Sequence, residues 1–223
     1  MNDKFASPLC YAGNKTRLLP LIHQYLPKNC NEIIDVFGGS GVVCFSTDFE
    51  NIVYNEKDTH VYNLIKTIKE CDLEFMLERI DFLIRQFDLS KNNKESYINF
   101  RHYFNDIYYK FLDDYNQTIR NASNLVLLVL VFFSFNHFIT FNKEGKFMTP
   151  SGYKRSSYNK SIKNNLIKFK EKLDNTNNML FNLDFRKLFS IYDNPNVNLS
   201  DKIFFIDLFP INRFCIQLLG KFH

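Results

Sequence analysis

Residues 32–43 read Glu32-Ile33-Ile34-Asp35-Val36-Phe37-Gly38-Gly39-Ser40-Gly41-Val42-Val43. An apolar run that ends in an acid and three glycines predicts a buried strand, a tight turn and then a helix. Glycines in such a turn let the backbone approach a ligand closely. Ligands of open α/β sheets bind beyond the carboxyl ends of the strands. The stretch therefore predicts either a ligand-binding turn or only a tight connection between two elements.

Length and composition limit the classes of protein to consider. The 223 residues suit one domain, or a core domain that carries an insertion, and the net charge of +4 permits a nucleic-acid partner without requiring one. The five cysteines form no CxxC pair, so we expect free thiols in the cytoplasm and no metal site. The apolar run from Leu125 to Phe135 is too short to span a membrane and predicts a buried helix or strand.

Two further signals flank the opening stretch. The turn Ala12-Gly13-Asn14-Lys15 precedes a helical pattern that runs to Pro27, and the start of a helix can receive an anion. A second strand, residues 51–54, is followed by Glu56. An acid at the end of a second strand is the position that binds ribose hydroxyls in nucleotide-binding sheets. Together these signals favour a ligand that contains adenosine.

The rest of the chain divides into a helical stretch, a hairpin and a return to strands. Apolar spacing predicts helices from Thr59 to about Ile119, and alternation around the turn Asn142-Lys143-Glu144-Gly145 predicts a hairpin. Residues 150–160 mix cations with tyrosines, which favours either phosphate and base contacts or a solvated loop. A helix over 164–173 and strands over 180–185 and 203–207 follow, and the final residues, to His223, contain no recognisable third unit.

The order of these motifs resembles the Dam-type family of DNA adenine methyltransferases. The resemblance rests on the turn at 11–15, the complete acid-x-Phe-x-Gly-x-Gly motif at 35–41, Glu56, the hairpin motif at 141–152 and Asp207. It implies a Rossmann-like α/β methyltransferase sheet with an inserted helical and β-hairpin region. The catalytic domain would comprise 1–58 and 161–223, and the target-recognition region 59–160.

The resemblance also implies a cofactor, a partner and their binding residues. The cofactor is S-adenosylmethionine, and the residues expected to bind it are Tyr11, Gly13, Lys15, Asp35, Phe37, Gly39, Gly41, Glu56 and Asp184. The partner is double-stranded DNA, and the residues expected to contact it are Asn136, Asn142, Lys146, Lys154 and Arg155. A flipped-out adenine would meet the catalytic group of Asp207, Phe209 and Pro210. We expect a monomer that uses neither a metal nor a membrane.

The chain departs from the family pattern at the motif Asp-Pro-Pro-Tyr. Here the sequence is Asp207-Leu208-Phe209-Pro210, without the prolines that fix the backbone and without the stacking tyrosine. We interpret the end as truncated or frame-shifted near Leu208, so that the C-terminal part of the sheet is missing and activity is impaired. Two alternatives stay open: a catalytically inactive remnant that binds cofactor or DNA, and a methyltransferase acting on RNA or a nucleotide.

Overall fold

The structure, a computed structural model, describes residues 5–9, 14–208 and 213–218. The chain divides into two compact units. The first comprises Met1–Ser7, Gly13–Tyr62 and Lys168–His223, and the second comprises Pro8–Ala12 and Asn63–Ile167. Each unit is described by itself below.

The first unit is built on a five-stranded sheet with the strand order β3-β2-β1-β4-β5. Its strands are β1 Glu32–Asp35, β2 Asn51–Asn55, β3 Asn177–Phe181, β4 Lys202–Leu208 and β5 Arg213–Leu218. The first four are mutually parallel, and β5 is antiparallel to β4. In this register Asp35 lies beside Tyr54 on one side and Phe205 on the other. The carboxyl ends of β1, β2 and β4 therefore share one edge of the sheet, and the predicted Rossmann-like class is confirmed.

Seven α-helices lie in the described part of the chain. They are α1 Leu19–Tyr25, α2 Thr59–Glu70, α3 Leu73–Gln86, α4 Lys94–Tyr103, α5 Gln117–Phe133, α6 Lys160–Asn175 and α7 Phe185–Tyr192. Short 3-10 turns cover Thr16–Leu18, Cys44–Ser46, Tyr109–Phe111 and Phe135–His137, and a π-helical turn covers Phe104–Tyr108. None of the helices within the described residues is long and apolar enough to cross a membrane.

Each unit has its own hydrophobic core. In the first unit, α7 packs Leu188 and Tyr192 onto one face of the sheet, against Ile34, Val53 and Phe204. Elsewhere in that unit, the ring of Phe45 packs against those of Tyr54 and Phe169, with centroid distances of 5.8 and 5.1 Å. In the second unit, the apolar run predicted as a helix or a strand is the C-terminal part of α5, and residues 123–133 of that helix are all buried.

Three predicted elements differ from the structure. The glycine turn leads into a three-residue 3-10 helix, Cys44–Ser46, because β2 begins at Asn51 and leaves no room for a longer helix. The strand predicted over 180–185 is displaced to Asn177–Phe181, since Asp184 caps α7 instead of ending a strand. After Asp207, where no element was predicted, residues 213–218 form β5, which pairs with the whole of β4 beyond Lys202.

The predicted hairpin is reduced to isolated bridges. Phe141 pairs with Phe147, and Ser134 pairs with Ser151, without a longer ladder. The Asn142 side-chain oxygen accepts the backbone N–H groups of Glu144 and Lys146, at 3.1 and 2.8 Å. An asparagine that binds the backbone of its own turn competes with strand pairing, so the turn forms while the flanking strands do not extend.

Candidate functional site

Asp35, at the end of β1, is a buried carboxyl with an unsatisfied oxygen. The residue is 2% exposed, and its Oδ1 has no hydrogen-bond partner among the described residues. Burial raises the pKa of Asp35 to about 7, hydrogen bonds from Cys44 oppose the shift, and the negative charges of Glu56 and Asp207 add to it. A buried oxygen without a partner is uncommon and requires an explanation, such as a ligand group that it would accept from.

The glycine turn that follows is held against the end of β2. Gly39 and Gly41 have φ angles of +51° and +72°, a region that glycine adopts at low cost. The Gly39 N–H donates to Glu56 Oε2 and its carbonyl accepts from the Tyr54 hydroxyl, both at 2.7 Å. A Cβ on Gly38 would lie 2.3 Å from the Tyr54 ring, so this position has no room for a side chain. The turn is therefore fixed in shape and closely packed.

Glu56 supports this turn from the end of β2. Its second carboxylate oxygen, Oε1, accepts the Asp58 N–H at 2.8 Å. Burial raises the pKa of Glu56, and the backbone donors of Asp58 and Gly39 oppose that shift. Each oxygen already accepts one bond, and a carboxylate oxygen has a second lone-pair site. The predicted ribose contact would use those remaining sites, and it stays a prediction.

Asn55 is a central residue of the site that the sequence did not identify. Its Nδ2 donates to the carbonyls of Val36 and Leu183, at 3.0 and 3.1 Å, and its Oδ1 accepts the Leu183 N–H at 3.0 Å. One buried side chain thus joins the end of β2 to the segments that follow β1 and β3. An Asn after a strand is common in sequences, and its partners here lie far away along the chain, so no local pattern could have indicated this role.

Asp184 lies three residues beyond β3 and begins α7. Its carboxylate caps the helix at the Arg186 N–H, and it pairs with the Arg186 guanidinium at 2.8 Å and the Lys57 ammonium at 3.0 Å. Arg186 first, and Lys57 second, hold the pKa of Asp184 well below its usual range. The expected contact of Asp184 with an adenine ring stays a prediction. Close by, the rings of Phe37 and Phe185 are 5.7 Å apart.

Lys15 and Asp207 come together at the end of β4. The Lys15 ammonium lies 2.5 Å from Asp207 Oδ2, and the two side chains are 14% and 17% exposed. The sequence placed Lys15 with the cofactor and Asp207 with the target base, whereas the structure pairs the two residues. Of the other residues expected here, Tyr11, Gly13, Phe209 and Pro210 lie outside the described residues.

The residues expected to contact DNA lie in the second unit. Asn136 is exposed and has a φ of +52°, and Lys146, Lys154 and Arg155 are exposed as well. Lys154 and Arg155 each lie over an aromatic ring, those of Tyr153 and Phe135, at 5.3 and 5.9 Å from the ring centroids. The segments meet where the Phe135 N–H donates to the Pro150 carbonyl. The surface therefore presents cations beside aromatic rings, while Asn142 has a role in its own turn.

Metal-ligating groups do not cluster in the part of the chain that the structure describes. No three His, Cys, Asp or Glu side chains there are placed to hold one ion. Asp35, Glu56 and Asp207 share an edge of the sheet, but Glu56 binds backbone N–H groups and Asp207 binds Lys15. What the site offers a ligand is a buried carboxyl, a glycine turn and an ion pair.

Comparison with known proteins gives one family and several relatives. Residues 11–207 match the family model described as "D12 class N6 adenine-specific DNA methyltransferase". The chain is 29% identical over 197 residues to "Modification methylase StsI" from Streptococcus sanguinis and 28% identical over 176 residues to "Type II methyltransferase M.FokI" from Planomicrobium okeanokoites. It is 31% identical over 153 residues to a "DNA adenine methylase" from Vibrio cholerae.

These relatives are longer than the matched region. The alignments cover 85%, 79% and 67% of this chain, but only 28%, 25% and 49% of the respective relatives. The chain thus spans between a quarter and a half of the length of the curated relatives it matches.

Proposed function

Because the chain belongs to the D12 class of N6 adenine-specific DNA methyltransferases, we propose that it binds S-adenosylmethionine and directs the methyl group to the exocyclic amine of adenine in DNA. The observation that carries this proposal is the glycine turn at 38–41, held to Glu56 and Tyr54 beside the unsatisfied carboxyl of Asp35. A preorganised turn next to a buried acceptor is a suitable site for a ligand with cationic groups.

The residues of the first unit fit this methyl donor. The donor supplies an electrophilic methyl group on a sulfonium and carries an ammonium group besides. Asp35 Oδ1 would accept from a cationic or N–H group of the ligand, and the backbone of the turn would approach it closely because Gly38 has no Cβ. Glu56 would keep the turn in this shape through its bond to the Gly39 N–H.

The acceptor side of the reaction is assigned to Asp207. Its carboxylate would accept hydrogen bonds from the adenine amine and hold the nitrogen in line with the methyl group. Orienting two reactants in this way supplies much of the rate of a transfer that needs no covalent intermediate on the protein. Duplex DNA would be bound by the exposed cations of the second unit, Lys146, Lys154 and Arg155. The positions of Lys154 and Arg155 beside aromatic rings suit phosphates and bases.

The test is donor binding by calorimetry together with methylation of plasmid DNA. We expect the protein to bind S-adenosylmethionine and the variant Gly41→Ala to lose binding, because Gly41 has φ +72° and a Cβ there would lie 2.7 Å from the Phe45 ring. Gly145→Ala is the matched control: its φ is +78°, but the nearest atom would be 3.6 Å away. We expect Gly41→Ala to cost about 3 kcal/mol of stability and Gly145→Ala about 1 kcal/mol. Equal donor binding by both variants would contradict the assignment of the turn.

A second candidate function, donor binding without methyl transfer, is favoured by the residues around Asp207. β4 continues through Leu208, which pairs with Arg213 of β5, at the position where the family motif has a proline. A protein of this kind would bind the donor in the calorimeter and leave every plasmid adenine unmethylated. Methylated plasmid, detected with a methylation-sensitive nuclease, would exclude this candidate.

A further inference from the structure

The ion pair between Lys15 and Asp207 is placed where the amine of the target base is expected. Its two charged atoms, Lys15 Nζ and Asp207 Oδ2, are 2.5 Å apart, and both side chains are largely withdrawn from water. A pair with so little exposure is screened less by salt than one on the surface. It therefore fixes the orientation of the Asp207 carboxylate more firmly than a surface contact would.

Only one oxygen of that carboxylate is used by the lysine. The Lys15 ammonium lies against Oδ2 of Asp207, and Oδ1 is the second oxygen of the same carboxylate. An ionised carboxylate accepts several hydrogen bonds, and an exocyclic amine is a donor. The lysine thus leaves an acceptor available on the side chain that it holds.

The surroundings of Asp207 explain why a cation is needed there. Asp35 ends β1, which pairs with β4, and Glu56 follows β2 on the other side of β1. The negative charge of Asp207 raises the pKa of the buried Asp35 carboxyl. Like charges repel at this edge of the sheet, so an unpaired Asp207 would tend to turn away from Asp35. Lys15 supplies the opposite charge and holds the Asp207 carboxylate in place.

The backbone at Asp207 is held in another way. Asp207 pairs with Phe214 and Leu208 with Arg213 in the antiparallel ladder to β5. This ladder fixes the main chain but leaves the torsions of the Asp207 side chain free. With Leu208 in place of the first family proline, the carboxylate depends on a side-chain contact for its orientation.

We propose that Lys15 is a positioning residue for the acceptor carboxylate: its ammonium holds Asp207 Oδ2, so that Oδ1 accepts a hydrogen bond from the amino group of adenine. The proposal rests on the proposed function, and it moves Lys15 from the donor side of the reaction to the acceptor side. Lys15 acts through Asp207 and does not itself touch the base.

The experiment measures the binding of adenosine to protein saturated with S-adenosylhomocysteine, which fills the donor site so that adenosine reports on the acceptor site. The comparison ligand is N6,N6-dimethyladenosine, which has no N–H to donate. We expect the protein to prefer adenosine about tenfold, an ordinary value for one hydrogen bond to a charged group. Lys15→Met and Asp207→Ala should abolish this preference, and Lys15→Arg should keep it.

Two controls separate positioning from a structural effect. In the double variant Lys15→Met, Asp207→Ala, the preference should fall no further than in Asp207→Ala alone, because the lysine acts through the aspartate. Lys202→Met removes a comparable ion pair, with Glu32 at 3.0 Å, from the opposite edge of the sheet and should keep the preference even if stability falls. Affinity for S-adenosylmethionine should stay within about threefold in Lys15→Met.

Three results with the variants would overturn the proposal. The first is an unchanged preference for adenosine in Lys15→Met, and the second is a preference lost equally in Lys202→Met. The third is a loss of affinity for S-adenosylmethionine in Lys15→Met that is also seen when Asp207→Ala is present. The absence of any preference in the unaltered protein would also overturn it, because Asp207 would then not accept from the amine. A failure of the proposed function is distinguishable, since S-adenosylmethionine itself would then not bind.

Discussion

At the scale of single residues, Asp35 makes the stability of the protein depend on pH. Its pKa of about 7 in the folded chain lies above the ordinary 3.8, so the folded chain keeps a proton that the unfolded chain releases. The free energy of unfolding therefore falls as pH rises from the ordinary pKa to the raised one, and this contribution is absent from Asp35→Asn. We expect the free energy of unfolding of the native protein, relative to the variant, to fall by up to about 4 kcal/mol between pH 4 and pH 8.

Urea unfolding of both proteins at several pH values measures this difference. The difference between the native protein and Asp35→Asn cancels the effect of every other titrating group, because both chains contain those groups. Curves for the two proteins that run parallel across the window would show that Asp35 has the same pKa in the folded and the unfolded chain.

The sequence could place Asp35, Gly39 and Glu56 at one edge of the sheet because parallel strands end together. In the structure the Gly39 N–H donates to Glu56, so these two residues are in contact. The sequence could not predict that Lys15 pairs with Asp207. The two residues lie at opposite ends of the chain, and charges of either sign are common near strand ends. Nor could the sequence identify Tyr54, whose hydroxyl reaches the Gly39 carbonyl from a strand that reads only as apolar.

At the scale of elements, Asn55 aligns the ends of three strands. Asn55→Ala would leave the Val36 carbonyl and both backbone groups of Leu183 without the bonds that they now make. We expect a loss of about 2–3 kcal/mol in the free energy of unfolding, because buried polar groups are costly to leave unpaired. We also expect weaker binding of S-adenosylmethionine. Loss of the side-chain bonds would let the backbone of residue 55 shift, and its carbonyl, which accepts the Gly38 N–H at 2.8 Å, holds the glycine turn.

Asn51→Ala, at the beginning of the same strand, is the control. The Asn51 side chain bonds at an exposed position to Asn177 and Asn31, so its loss should cost less than about 1 kcal/mol and leave the donor affinity unchanged. Calorimetry and chemical unfolding of the two variants provide the comparison. Equal losses in both would mean that the strand ends are aligned without Asn55.

The elements that the sequence predicted incorrectly share a physical cause. The local sequence pattern could not show that the helix after Gly41 is confined to Cys44–Ser46. The length of this helix is limited by the short path to β2. The pattern could not place β3 at Asn177–Phe181, because the two asparagines that begin the strand have low strand propensity and are fixed by pairing with β2. Tertiary pairing overrides propensity at such positions, and β5 is a further example.

At the scale of the whole molecule, the second unit is expected to make the binding of duplex DNA dependent on salt. Lys154→Gln and Arg155→Gln should each lower the slope of log affinity against log salt concentration by about one, because each removes one phosphate contact. Lys110→Gln is the control: its ammonium also lies over a tyrosine ring, that of Tyr109 at 5.7 Å, but Lys110 is not among the residues expected to contact DNA.

Fluorescence anisotropy of a labelled duplex between 50 and 200 mM salt measures the slopes, with an RNA duplex as a second ligand. Equal slopes for all three variants would remove Lys154 and Arg155 from the interface. Tighter binding of the RNA would favour a methyltransferase that acts on RNA.

The order of motifs along the chain was sufficient to predict the family, since residues 11–207 match the family model. A Rossmann-like sheet requires its glycine turn, second strand and acid-tipped strand in a fixed order, so their sequence positions carry much of the architecture. The relatives extend well beyond the matched region.

The position of β4 beside β1 has a consequence for the order in which the sheet is assembled. β1 and β2 are close in sequence, whereas β4 pairs with β1 only after a loop that includes the second unit has closed. Loop closure over such a distance is entropically costly and slow. The Asp35–Glu56 half of the site can therefore form early during folding, and the half that contains Asp207 is completed last.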